Sequence, residues 1–95
     1  MKTLANNGEL YQYLLSLAPM LRDRKAKELS EAVMHASMTS AGMRTEFLGE
    51  SRIALREVSK KAKKILTPRE RAGLSDVLRQ LDDVFEKRVK TRVFL

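Results

Sequence analysis

Apolar positions recur along the chain at intervals of three and four, and β-branched residues never cluster with a period of two. The pattern therefore predicts helices almost throughout. Leu10, Leu14 and Leu17, joined by Tyr13, share one face of a first helix. It is expected to start at Asn7, whose side chain can cap it, with Glu9 placed favourably against the first-turn amides. Pro19 either ends this helix or takes the first position of the next, where its missing N–H costs nothing.

The second segment, from about 19 to 42, carries Leu29, Ala32, Val33 and Ala36 on one face. Met34, Met38 and Ala41 form a second apolar face roughly opposite, and Glu28, Glu31, His35 and Thr39 fill only the strip between. A helix apolar over more than half its circumference is expected to be central in a bundle or shared with another subunit. A break or bend is expected near Gly42, in preference to a helix running straight on toward Phe47.

A third helix, from about 45 to 66, aligns Leu55, Val58, Ala62 and Ile65. The sequence Thr67-Pro68-Arg69-Glu70 then has the form of a capping box: the Thr67 hydroxyl accepts from the Glu70 amide and the Glu70 carboxylate accepts from the Thr67 amide. Pro68 suits the first helical position. The fourth helix so opened is expected to run for about twenty residues and to bury Leu74, Val77, Leu78, Leu81 and Phe85. Val84 and Val89 flank that stripe, and Gly73 weakens the helix slightly. The expected fold class is all-α, a small bundle of about four helices forming one domain over residues 1–95, with 1–6 and 91–95 frayed. Val93, Phe94 and Leu95 are candidates to dock on a partner.

Size changes this picture in one respect. A chain of 95 residues, 43% hydrophobic, builds only a thin core. Burying a leftover apolar face against a second copy is a common remedy. Met34, Met38 and Ala41 are therefore the expected homodimer or partner interface, with Met43 as a further flexible thioether nearby.

Charge changes it in another. Nineteen Lys and Arg against twelve Asp and Glu leave a net charge of +7, which favours anionic partners: nucleic acid, an acidic protein or an anionic membrane. Drawn as one helix at about 100° per residue, Arg52, Arg56, Lys60, Lys63 and Lys64 occupy a band about 120° wide. Arg69 and Arg71 follow just past the next turn. Together these seven are the candidate nucleic-acid-binding residues, able to track a phosphate backbone. The plainer reading is a solvated face whose long stems cover apolar neighbours. Glu50 and Glu57 sit only at the edge of the band, which favours binding. No aromatic interleaves the cations, which argues against stacking on single-stranded bases.

The stretch LTPRERAGL, residues 66–74, resembles the opening helix of LuxR-type DNA-binding domains, and the same segment through Leu81 resembles the last helix of MarR-family regulators. The sequence contains neither the second helix pair of the first family nor the winged part of the second. No residue role is carried over from either.

Catalytic chemistry finds no support. There is no Cys, and His35 with Glu31 supplies two metal ligands at best, so neither a metal site nor a cofactor is expected. Adjacent Asp82 and Asp83 diverge by about 100° on a helix and would not share a proton. Ser37, Thr39 and Ser40 lack an activating base, and no Gly-rich phosphate loop occurs. The longest apolar stretch follows Glu9 and contains Gln12 and Pro19, unlike a signal peptide or a spanning segment. The expectation is a cytoplasmic, non-enzymatic regulatory protein that contacts nucleic-acid phosphates and makes no membrane contact. The alternative is a protein-binding adaptor, anti-activator or chaperone acting through the apolar face or on an acidic partner. A membrane-surface helix ranks last, because no leucine-rich or aromatic side stands opposite the basic one.

Overall fold

The computed structural model describes the backbone of residues 7–93 and the side chains of residues 8–85. All regular structure in it is helical: α1 (Asn7–Asp23), α2 (Lys27–Met38), a single 3-10 turn (Thr39–Ala41), α3 (Arg44–Lys61) and α4 (Pro68–Val93). Each helix packs on the next in sequence, α1 on α2, α2 on α3 and α3 on α4. The expected all-α bundle of four helices is present.

The boundaries differ from expectation in three places. Pro19 neither ends α1 nor begins α2; it lies inside α1. A proline there removes one backbone hydrogen bond and crowds the preceding turn, at a cost of about 3 kcal/mol. Continuing the helix buries Ala18 and Leu21 beside Leu10, Leu14 and Leu17. Burial of a leucine side chain is worth about 1.5–3 kcal/mol, so the extended stripe offsets the proline. The Asn7 cap and the docking of Phe94 and Leu95 fall outside the described residues, as do residues 1–6. So do the side chains of Val89 and Val93.

The break between α1 and α2 comes instead at residues 24–26. Lys25 takes φ 66°, the left-handed region. The Ala26 amide donates to the Leu21 carbonyl at 2.8 Å and the Lys25 amide to that of Arg22 at 3.0 Å. These are the two bonds of a Schellman ending, a motif that normally puts glycine where Lys25 stands.

The second difference is at the end of α3, which stops at Lys61, short of Leu66. The Ile65 and Leu66 amides both donate to the Ala62 carbonyl at 3.0 Å, making a tight turn. That turn drops Ala62 and Leu66 into the core. It also frees Thr67 from helical geometry, as Pro68 requires of the residue before it. The third is at α4, which stays helical for 26 residues, through Val93, beyond both the expected twenty and the expected fraying point at residue 91.

The expected break near Gly42 is present. Past it, Phe47 is the largest fully buried side chain among the described residues, and Leu48 and Ala54 are also buried; the periodicity singled out none of the three. Leu55, Val58, Leu74, Val77 and Leu81 are buried as expected, whereas Leu29, Ile65, Leu78 and Phe85 only pack against the core. The inner face of α2 is Ser30, Val33, Ala36 and Ser37. Small residues let the helices approach closely, and the Ser30 hydroxyl donates to the Ala18 carbonyl of α1 at 2.6 Å. Ser51, also fully buried, has no hydrogen-bond partner for its hydroxyl among the described residues.

Candidate nucleic-acid interface

The band of cations predicted on one helical face divides into two groups. Arg52 Nε donates to Asp82 Oδ1 at 2.7 Å, and Arg56 Nη2 reaches the same oxygen at 3.1 Å. The Arg52 guanidinium also lies over the Phe85 ring, 4.9 Å from its centroid. Both arginines thus face α4. Asp82 is held below the usual carboxylate range, first by the Arg52 hydrogen bond and then by the two nearby positive charges. A sequence signal for this existed: Asp82 and Phe85 stand three apart on α4, and Arg52 and Arg56 four apart on α3, spacings that put each pair on one face.

The second group surrounds the α3–α4 turn. Lys60 is exposed in the last turn of α3, and Lys63 and Lys64 are exposed in the turn itself, beyond the helix on which the band was drawn. Arg69 is exposed in the first turn of α4. Arg71 Nη1 donates to the Lys63 carbonyl at 3.0 Å, which braces the turn against α4 and leaves the guanidinium at the surface. Lys61 pairs with Glu57 at 3.1 Å. Among the described residues, no carboxylate lies within ion-pair distance of Lys60, Lys63, Lys64 or Arg69.

The acid that interrupts this group, Glu70, is occupied. The predicted capping box forms: the Thr67 amide donates to Glu70 Oε1 at 2.9 Å, and the Glu70 amide donates to Thr67 Oγ1 at 3.2 Å. Arg24, from the end of α1, adds a fork on the same carboxylate, Nη1 to Oε1 at 2.5 Å and Nη2 to Oε2 at 2.9 Å. Its Nη1 also donates to the Ile65 carbonyl at 3.1 Å. The Arg24 and Thr67 hydrogen bonds lower the Glu70 pKa to about 2. The Tyr13 hydroxyl is pushed up to about 12, chiefly by burial and secondarily by the Glu70 charge. Arg24 escaped the sequence reading because its partners lie more than forty residues away and no local spacing announces them.

The predicted apolar interface is at the surface. Met34 is 40% exposed, Met38 72% and Met43 74%, and Ala41 is exposed as well. Met34 and Met38 line an open groove of about 290 Å³ with Pro19, Arg22, Glu31 and His35. Among the described residues, no group of three or more His, Cys, Asp or Glu side chains could hold a metal ion. No helix among them is long and apolar enough to cross a membrane. Compared with protein-family models, curated proteins and solved structures, the chain matches none of them.

Proposed function

We propose that the chain is a non-catalytic regulatory protein that contacts nucleic-acid phosphates through the cations around the α3–α4 turn: Lys60, Lys63, Lys64, Arg69 and Arg71. The observation that carries this reading is the state of the charges there. Four of these cations are exposed with no carboxylate beside them, and the one acid among them is taken up by Arg24 and Thr67. Arg52 and Arg56 belong to the α3–α4 contact and leave the proposed contact set.

Salt titration of duplex binding tests the reading. Removing one phosphate-binding cation should flatten the slope of log affinity against log salt by about 0.9. Reversing Lys60, Lys63 and Lys64 to Glu should abolish binding with helicity intact, while Arg52→Gln with Arg56→Gln should leave the slope unchanged. Equal weakening by both sets would extend the interface back along the whole helical band. A parent without affinity at low salt would remove the reading.

One observation favours a second reading, an adaptor or homodimer using the apolar surface. Met34 and Met38 stand exposed along one groove, and Met43 is exposed as well, apolar surface that a partner would cover with gain. An interface of this kind should respond little to salt, unlike one made to phosphates.

A further inference from the structure

The Arg24 fork does more than hold a helix cap. By bonding Glu70 and the Ile65 carbonyl, it ties the α1–α2 turn to the α3–α4 turn, so both lie at one end of the bundle. The residue after it, Lys25, sits on the left-handed corner of its turn and is exposed, as is Lys27 at the start of α2. Neither has a carboxylate within ion-pair distance among the described residues. Residues 24–27 and 60–71 together hold nine of the nineteen Lys and Arg and one acid, Glu70, with Asp23, Glu28 and Glu57 at the margin. Charge that is dispersed in the sequence is gathered by the fold on one pole.

Resting on the phosphate-binding reading above, we propose that Lys25 and Lys27 form a second row of the interface and that the ligand is a nucleic-acid duplex. One backbone would be met by the α3–α4 turn and the other by the α1–α2 turn. The two rows sit on separate turns joined through Arg24, which gives each backbone its own set of cations. Neither segment contains an aromatic residue, so neither offers the platform on which unpaired bases stack. Arg24 acts here as a positioning residue: its guanidinium is spent on Glu70 and Ile65, and it sets the distance between the rows.

The experiment compares a short duplex with one of its strands alone, by fluorescence anisotropy across a salt series. The variants are Lys25→Gln with Lys27→Gln, and a control, Arg44→Gln with Arg79→Gln. Arg44 opens α3, whose 18 residues put it at the far end of that helix, and Arg79 pairs with Asp76 on α4. Both lysines are exposed, so the fold should survive, as circular dichroism would verify. The expected result is a duplex salt slope flattened by about 1.8 in the lysine variant and unchanged in the control. The parent should bind the single strand at least tenfold more weakly than the duplex. If the lysine variant keeps the parental slope while Lys60, Lys63 and Lys64 reversal abolishes binding, the second row is wrong and the phosphate reading stands. Equal affinity for the single strand would overturn the duplex assignment. A parent that binds neither probe would end both proposals.

Discussion

Arg24 and Glu70, forty-six positions apart, meet in a two-bond fork at 2.5 and 2.9 Å that joins the end of α1 to the start of α4. The carboxylate in this fork also caps α4 through the Thr67 amide, so one side chain completes a helix start and an interhelical contact at once.

Acid should reveal that double role. The Glu70 pKa is lowered from 4.5 to about 2 by the Arg24 and Thr67 hydrogen bonds. A carboxyl whose folded pKa is depressed stabilises fully above its unfolded value and loses that contribution as pH falls through the folded one. Stability should therefore decline as pH drops from about 4.5 toward 2. Asp82, lowered by Arg52 and Arg56, acts in the same direction. In urea titrations at several pH values, Glu70→Gln should be less stable than the parent at neutral pH and less sensitive to acid. Parallel decline of the two proteins would mean that the fork contributes nothing to folding.

Removing the other half of the capping box isolates the helix start. Thr67→Ala leaves the Glu70 amide without its acceptor and should destabilise the protein by about 1 kcal/mol. Chemical denaturation measures this directly, and coincident midpoints for parent and variant would refute it.

The contrast between these two sites shows what the sequence made legible. The Thr67–Glu70 box was readable because all its parts lie within four residues and its chemistry needs no tertiary partner. Part of each core stripe was readable by the same local periodicity: Leu10, Leu14 and Leu17 on α1, Leu55 and Val58 on α3, and Leu74, Val77 and Leu81 on α4. Arg24, whose partners are distant in sequence, was not. Nor was the stop after Lys61: KKAKKIL contains neither glycine nor proline, and what ends the helix is the burial of Leu66 ahead of Pro68. Pro19 misled in the opposite sense, because local propensity disfavours a helix there and the burial of Ala18 and Leu21 offsets it. The proposed interface shifted accordingly. Lys63 and Lys64 left the helical band with the helix end, and Arg52 and Arg56 left it for Asp82.

Lys25 offers a stabilising substitution. A non-glycine residue at a φ of 66° carries a steric cost that glycine avoids. Lys25→Gly should raise stability by about 0.5–1 kcal/mol, because the Schellman ending favours glycine at this position. Thermal melts would check it, and an unchanged or lowered midpoint would contradict it. If Lys25 also contacts phosphate, the same variant should bind duplex less tightly while melting higher.

The methionine face predicts assembly. Met34 and Met38 are exposed on α2, so Met34→Glu with Met38→Glu should leave the fold intact. The parent should sediment as a homodimer at micromolar concentration and the double variant as a folded monomer. A parent that stays monomeric at high concentration would rule out this interface.

The order of helix packing has a kinetic consequence. With α1 on α2, α2 on α3 and α3 on α4, most packing joins neighbours in the chain, the arrangement associated with folding in microseconds to milliseconds. The Arg24 fork departs from this order, since it can close only after the intervening helices have brought residues 24 and 70 together. A bond that forms after the rate-limiting step has a φ-value near zero. Arg24→Met should then leave the refolding arm of the chevron in place and raise the unfolding arm alone. On this account the fork is a latch: it hardly affects how fast the bundle forms, and it lengthens the time the bundle stays closed.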